Sequence, residues 1–95
     1  MSTLTSDQVA LQLENFLPDW RLDGNRLVKT FEFSDFASAV AFITRLAFYC
    51  QELEHYPYLS QYYNTVSVAI GEVDNPEVHG RDVQLAKRIQ ACFTQ

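Results

Sequence analysis

Two histidines, His55 and His79, are the side chains best suited to acid and base chemistry near neutral pH, because imidazole titrates in that range. His55 lies in the segment QELEHYPYLSQYYNTV, residues 51–66, and carboxylates stand nearby at Glu52 and Glu72. These groups are candidates for proton transfer to and from a bound substrate. The histidines and scattered carboxylates lack the spacing of a metal template, so we predict no metal site.

The two cysteines, Cys50 and Cys92, occur without a CxxC motif or a Cys/His ligand spacing. We therefore expect buried, reduced thiols that act as small hydrophobic side chains. The sequence also has no glycine-rich phosphate loop, no GxSxG motif and no internal repeat. It predicts no cofactor.

Composition limits the classes of protein that remain. The 95 residues, 47% apolar and 20% charged, fit one folded domain spanning residues 1–95. A net charge of -5 and the lack of a basic stripe argue against non-specific nucleic-acid binding. No apolar run approaches the ~20 residues that a membrane span needs, and the polar start lacks the regions of a signal peptide. We expect a cytoplasmic protein that binds neither nucleic acid nor membrane.

The first third of the chain predicts a helix followed by a β-hairpin. Thr5 begins a capping box, and Pro18 ends the helical pattern. Strands at residues 19–23 and 26–33 flank a turn at residues 23–25. Along the second strand apolar and polar side chains alternate, as in a strand with one buried face.

A longer helix follows, capped by Ser34 and ending near Leu53. Its predicted core-facing stripe comprises Phe36, Ala39, Val40, Ile43, Leu46, Ala47, Cys50 and Leu53. Phe42, Phe48 and Tyr49 fall off that stripe. They suggest a second buried face, either against another subunit or within the monomer.

The remaining residues predict two strands and a last helix. Residues 59–71 are rich in Tyr, Val and Ile, and the last helix begins near Gly80. The predicted fold is an α+β domain in the order α-β-β-α-β-β-α, with a four-stranded antiparallel sheet and three helices on one face. Such a sheet leaves two open edges, and edge pairing into a homodimer is the expected way to cover them.

Several motifs in this order resemble the pterin-4a-carbinolamine dehydratase family. The segment DFASAVAFITRLAFYCQELEHYP, residues 35–57, is similar without a gap to the family helix of the form DFxxAxxFxxRxAxxAExxxHHP. The resemblance continues through YNTV at residues 63–66, and then through Arg81-Asp82 and Leu85-Ala86, which match the family's RDxxLA. It implies the pterin dehydratase-like fold for nearly the whole chain.

The resemblance also implies a reaction, the loss of water from a 4a-hydroxy-tetrahydropterin. Family members use a pair of histidines before a proline, a third histidine after the last strand, and a carboxylate on the helix. Of these groups only His55, followed by Pro57, is present. Tyr56 replaces the second histidine, Val73 the third, and Gln51 the carboxylate. Because valine transfers no proton and tyrosine has an ordinary pKa of ~10, we expect no dehydratase activity and a vestigial site.

A branch of this family that lacks the catalytic residues assists Rubisco assembly in bacteria with α-carboxysomes. This chain resembles that branch, which implies a non-catalytic chaperone for the Rubisco large subunit in the cytoplasm, in association with carboxysomes. Tyr56, Tyr58 and Tyr62 are the candidate partner-binding residues. Tyr63 belongs to the same cluster, but its place in the family's YNxV motif makes strand packing an equal alternative.

Two other functions stay open. One is an active dehydratase with rearranged acid and base groups, for which His55 and His79 with Glu52 or Glu72 are the candidates. The other is a different partner-binding role, such as a transcriptional cofactor. In the non-catalytic case, we expect His55 to satisfy the carbonyl groups at the helix end, and His79 to occupy a helix-cap position.

Overall fold

The computed structural model describes residues 3–24, 26–72 and 77–93. Its elements follow the predicted order, and their bounds are α1 Ser6–Phe16, β1 Arg21–Asp23, β2 Arg26–Glu32, α2 Phe36–Leu53, β3 Tyr58–Tyr62, β4 Thr65–Ile70 and α3 Gly80–Phe93. Among the described residues, no helix is long and apolar enough to cross a membrane.

The four strands form one antiparallel sheet in the order β1-β2-β4-β3. Phe31 of β2 lies opposite Val66 of β4, and both are buried on the face that the helices cover. The opposite face is open and polar, and there the hydroxyl groups of Thr30 and Ser67 lie 3.0 Å apart. The predicted α+β fold, with helices on one face of the sheet, is confirmed.

Local hydrogen bonds explain where the helices begin. Thr5 and Gln8 form the predicted capping box at α1. Helix α2 is capped by Asp35, whose carboxylate accepts a 2.8 Å bond from the Ser38 N–H. The prediction of Ser34 as the cap was wrong by one residue. Hydrogen bonding from Ser38, through its hydroxyl and its backbone N–H, lowers the pKa of the Asp35 carboxyl.

The β3–β4 hairpin turns through Tyr63 and Asn64, because Tyr62 pairs with Thr65. Tyr63 takes a positive φ of 50° there. The Asn64 side chain donates a 2.8 Å bond to the carbonyl of Phe33, and the Phe33 N–H donates to the Asn64 carbonyl. Asparagine therefore both forms the turn and ties it to the end of β2.

The core centres on a cluster of aromatic rings between the sheet and the helices. Phe42 of α2 is fully buried, and its ring centroid lies 4.9 Å from that of Phe31 and 5.1 Å from that of Phe33. Phe93 of α3 packs on the same rings. The core therefore joins β2, α2 and α3.

The predicted core-facing stripe of α2 was correct in part, because Ala39, Leu46 and Cys50 are buried and Ile43 and Leu53 pack against the core. The helix buries Ala39, Phe42, Leu46 and Cys50. Phe42, which the periodicity placed off the stripe, is thus central to the core, whereas Phe36 is 54% exposed and Val40 and Ala47 are also exposed. Of the three residues predicted to form a second buried face, Phe42 and Tyr49 pack into the core of the monomer, whereas Phe48 is 69% exposed.

Both cysteines are free and buried, as the sequence predicts. Burial raises the pKa of the Cys50 thiol, and the neighbouring Cys92 thiol raises it further. Burial likewise raises the pKa of Cys92. Both side chains therefore stay protonated at neutral pH and act as packing groups.

Candidate functional site

The end of α2 aims His55 toward α3. The helix ends at Leu53, and Glu54 then adopts a left-handed conformation with φ 52°. The His55 N–H donates a 3.1 Å bond back to the carbonyl of Cys50. This tight turn reverses the chain and brings the imidazole to the first turn of the neighbouring helix.

There His55 meets a buried carboxylate. Its Nε2 lies 2.5 Å from Oδ1 of Asp82, a residue that is only 3% exposed. A carboxylate partner fixes the orientation of an imidazole ring. The second ring nitrogen, Nδ1, takes no part in this contact. The pair is therefore a preorganised group for proton transfer, with part of the imidazole still open to solvent.

The same carboxylate contacts the second histidine of the chain. Asp82 Oδ2 accepts a 2.8 Å bond from the backbone N–H of His79 and lies 3.8 Å from its Nδ1. Because α3 begins at Gly80, His79 does occupy the predicted helix-cap position. Asp82 thus links both imidazoles of the chain at one helix start, a link that the sequence reading missed.

Arg81 takes the role that we expected of His55. Its Nη2 donates bonds of 2.7 Å and 2.9 Å to the carbonyls of Leu53 and Glu54. The guanidinium therefore satisfies the end of α2, while the imidazole of His55 pairs with Asp82. The Arg81-Asp82 motif provides both contacts: Arg81 binds the end of α2, and Asp82 binds His55. From the sequence we had assigned this motif to the fold and not to the site.

The other predicted site residues lie in a different place. Gln51, Tyr56 and Pro57 line a groove of about 290 Å³ between α2 and β3, and the remaining lining residues are Leu46, Ala47, Cys50 and Leu59. His55 is not in that lining, although it is adjacent to Tyr56 in sequence. Val73 lies outside the described residues. The structure therefore brings three of the predicted residues together in one groove.

The candidate partner-binding tyrosines are exposed at different places around β3. Tyr56 is 63% exposed beside the groove, and Tyr62 on the edge strand is 83% exposed. Tyr58 is half exposed, with the Arg26 guanidinium 4.7 Å from its ring centroid. Tyr63, for which strand packing was the alternative, is exposed in the turn instead.

The open face of the sheet contains a larger hollow of about 480 Å³ beside Tyr58. Its charged lining combines Asp19 and Asp23 with Arg21, Arg26 and Lys29. This mixture favours no single sign of ligand charge. In the described part of the chain, no three His, Cys, Asp or Glu side chains cluster to hold a metal ion.

The pairing with Asp82 is expected to support the fold as well as the histidine. Replacing Asp82 with alanine leaves the His55 Nε2 and the His79 N–H without their acceptor, so we expect the free energy of unfolding to fall by about 1–3 kcal/mol. Urea denaturation measures this change. Glu14→Ala, at an exposed position on α1, is the control, with an expected change within about 0.5 kcal/mol. Equal stability of the two variants would show that Asp82 is not a structural link.

Comparison with known proteins places the chain in a family. The family model described as "Pterin 4 alpha carbinolamine dehydratase" matches residues 2–92. A protein of Synechococcus sp. (strain WH7803) is 36% identical over 91 residues, covering 96% of this chain and 98% of its own length. A protein of Sulfurisphaera tokodaii is 35% identical over 94 residues, covering 99% of this chain and 100% of its own length. Both carry the name "Putative pterin-4-alpha-carbinolamine dehydratase".

A solved structure supports the fold. The "transcriptional coactivator/pterin dehydratase" of Brucella melitensis aligns with a TM-score of 0.88 over 97% of this chain and 99% of that chain. At 24% identity this likeness shows the shared architecture and nothing more. Family model, sequence relatives and fold agree, and the chain belongs to the pterin-4a-carbinolamine dehydratase family.

Proposed function

We propose that this protein is a non-catalytic family member that binds a partner, and that the partner is the Rubisco large subunit during assembly. The observation that carries the proposal is the lining of the groove at the end of α2. Gln51 and Tyr56 line it at positions where the family resemblance calls for a carboxylate and a histidine.

Dehydration of a 4a-hydroxy-tetrahydropterin requires one proton for the leaving hydroxyl and the removal of another from a ring nitrogen. His55 alone offers an imidazole among the expected positions, because Tyr56 and Val73 replace the other two. The loss of a general acid or base typically reduces the rate ~10²–10⁴-fold. A site that lacks several of its acid and base groups is not one that selection for pterin turnover would retain.

The exposed tyrosines suit a binding surface. Tyr56, Tyr58 and Tyr62 present large, amphipathic side chains with few rotatable bonds, the kind enriched at protein interfaces. The name of the Brucella protein joins coactivation with pterin dehydration, so a partner-binding role on this fold has a named precedent. We propose that these tyrosines contact the large subunit.

Self-association through the edge of the sheet is part of the proposal. Strand β3 lies at one edge, and its sequence YLSQY contains no charge or proline that would discourage pairing. The opposite edge, β1, has three residues, of which Arg21 and Asp23 are charged. We expect a homodimer through β3 that leaves the end of α2 accessible.

The proposed mechanism needs no nucleotide, in keeping with a sequence that has no nucleotide motif. The protein covers aggregation-prone surface on folded or nearly folded large subunits until they associate. It acts in the cytoplasm, in association with carboxysomes. The exposed aromatic side chains of this acidic chain are available for that contact.

The test is production of assembled Rubisco in a heterologous host, with and without this chain. We expect the chain to raise the yield of holoenzyme, and the double variant Tyr56→Ser/Tyr62→Ser to reduce that gain. Leu11→Ser, at an exposed apolar residue on α1, is the control and keeps the gain. An unchanged yield with the soluble wild-type protein would overturn the proposal.

A second candidate function rests on Asp82. Because this carboxylate contacts both His55 and His79, the chain has two imidazoles near one buried acid. That arrangement favours a dehydratase with relocated acid and base groups as the alternative. Turnover that is lost in both His55→Ala and His79→Ala would support this alternative.

A further inference from the structure

We propose that the outer surface of α3 docks an acidic segment of a partner protein through a basic face formed by Arg45, Lys87 and Arg88. This contact lies on the helical side of the molecule, away from β3 and its tyrosines, and so goes beyond the proposed function. It shares with that function only the premise that the ligand is a protein.

Two of the cations lie along the seam between α2 and α3. Arg45 of α2 donates a 3.4 Å bond from Nη2 to the carbonyl of Cys92, near the end of α3. One turn further along α2 the ring centroid of Tyr49 lies 5.4 Å from Cζ of Arg88, which is one turn earlier on α3. Burial raises the pKa of the Cys92 thiol, and both guanidinium groups partly oppose that rise, so both lie close to this sulfur.

Lys87 lies on the other side of α3. Its Nζ is 4.2 Å from the ring centroid of Phe16 on α1. Lys87 and Arg88 therefore flank α3, and a helix with its side chains is ~10–12 Å wide. A single small anion does not reach both, whereas alternate side chains of an extended peptide point the same way about 7 Å apart. The spacing of the cations thus favours an extended ligand with several separated negative charges.

Nearby acids do not neutralise the basic face. In the described ranges of the chain, none of its three cations forms an ion pair with a carboxylate. The one acid on α3, Asp82, is buried at the opposite end of the helix. Glu14 lies two residues before Phe16 and so on nearly the opposite side of α1. Glu52 is beside Leu53, whose carbonyl binds the start of α3 through Arg81.

The contacts of these cations leave them available to a carboxylate. Ring contacts hold Lys87 and Arg88 in place, but neither side chain donates a hydrogen bond to a residue that the structure describes. The Arg45 bond is long, and its Nε has no acceptor within the same part of the chain. Hydrogen bonds from these groups to carboxylates are shorter and stronger than those to neutral acceptors. An acidic segment therefore gains such bonds without displacing an ion pair.

The charge of the whole molecule favours a protein segment over the other polyanions. Duplex DNA presents one charge per ~1.7 Å of its axis, and a chain with a net charge of -5 repels so dense a polyanion. A symmetric dimer through this surface would pair the basic face with its own copy, which offers no acid for its cations. A short acidic segment brings its charges to the basic face alone.

Peptide titration of the ¹⁵N-labelled full chain tests the inference. The probe is acetyl-Glu-Ala-Glu-Ala-Glu-amide, compared with peptides in which Gln or Lys replaces each Glu and with a short DNA duplex. We expect the acidic peptide alone to shift amide resonances, mainly those of Arg45, Tyr49 and residues 84–93. Binding should weaken with added salt, because exposed charges contribute to it.

Charge variants locate the contact. Lys87→Gln/Arg88→Gln is expected to weaken peptide binding about 3–10-fold at low salt. The matched control, Arg21→Gln/Arg26→Gln, removes the same two charges from the open face of the sheet and keeps the affinity within about twofold. The reversed variant, Lys87→Glu/Arg88→Glu, should lose the acidic peptide and bind the Lys peptide instead.

Three results would overturn the inference. The first is an equal loss of affinity in the matched control, or shifts spread over the whole surface. The second is binding of the DNA duplex as tight as that of the peptide, which would assign the face to nucleic acid. The third is a set of concentration-dependent shifts around α3 without peptide, which would assign the face to a second copy.

The same variants distinguish this inference from the proposed function. Peptide binding at the basic face without a gain in Rubisco yield would keep the surface assignment and reject Rubisco as the partner. A gain in yield that Lys87→Gln/Arg88→Gln leaves intact, together with no peptide binding, would keep the proposed function and reject the basic face.

Discussion

The purified protein is expected to dehydrate a 4a-hydroxy-tetrahydropterin at least about 10²-fold more slowly than a family member with all three histidines. The reason is the loss of proton-transfer groups at Tyr56 and Val73, with Gln51 replacing the helix carboxylate. A tyrosine hydroxyl is a poor substitute for an imidazole in proton transfer at neutral pH. The measurement is a spectrophotometric assay of pterin turnover, corrected for the uncatalysed rate in the same buffer.

A restored variant provides the matched comparison. Tyr56→His/Val73→His returns both imidazoles, and we expect it to raise the rate at least about tenfold, below the full ~10²–10⁴-fold that a well-placed group supplies. Wild-type turnover equal to that of a histidine-complete relative would contradict the proposal of a non-catalytic protein. Loss of that turnover in His55→Ala and His79→Ala would then assign it to the two histidines around Asp82.

Replacing Phe42 with alanine is expected to lower the free energy of unfolding by about 3–5 kcal/mol. Phe42 is fully buried and contacts the rings of Phe31, Phe33 and Phe93, so its removal leaves a cavity where β2, α2 and α3 meet. That loss is large against the roughly 5–15 kcal/mol that stabilises a typical domain. Urea denaturation followed by circular dichroism measures it.

Phe48→Ala is the control for this prediction, because it removes the same side chain from an exposed position on the same helix. Its expected effect is within about 0.5 kcal/mol. Equal losses in the two variants would contradict the observed orientation of α2. A greater loss for Phe48 than for Phe42 would show that Phe48 is buried in a stable oligomer.

Local patterns were sufficient to predict the order of elements. Strand β4 alternates the buried Val66, Val68 and Ile70 with small and polar residues, so its two faces were evident from the sequence. Thr5 and Gln8 likewise have the spacing of the capping box that they form. Such features depend on residues a few positions apart, which periodicity detects directly.

The orientation of α2 was not predictable in the same way. Apolar residues surround much of this helix, so a stripe that includes Phe36 and Val40 and a stripe that includes Phe42 both fit a helical period. Packing against β2 and α3 decides between them, because it places the ring of Phe42 among three other rings. The exposed apolar residues then become surface that is available to a partner.

The site was predicted in part for a similar reason. Gln51, Tyr56 and Pro57 are close in sequence, and their shared groove follows from the end of one helix. The contact between His55 and Asp82 joins residues 27 positions apart, so no local pattern reveals it. The motif at Arg81-Asp82 pointed to the correct residues, but only the packing of α2 against α3 shows what they bind.

We propose that this protein binds Rubisco large subunits without acting on a pterin. The most direct measurement is size-exclusion chromatography with light scattering on a mixture of the purified chain and large subunits. We predict a complex whose mass includes both proteins, and its loss with Tyr56→Ser/Tyr62→Ser while Leu11→Ser retains it. Separate elution of the two proteins at every concentration, with both proteins folded, would contradict the account.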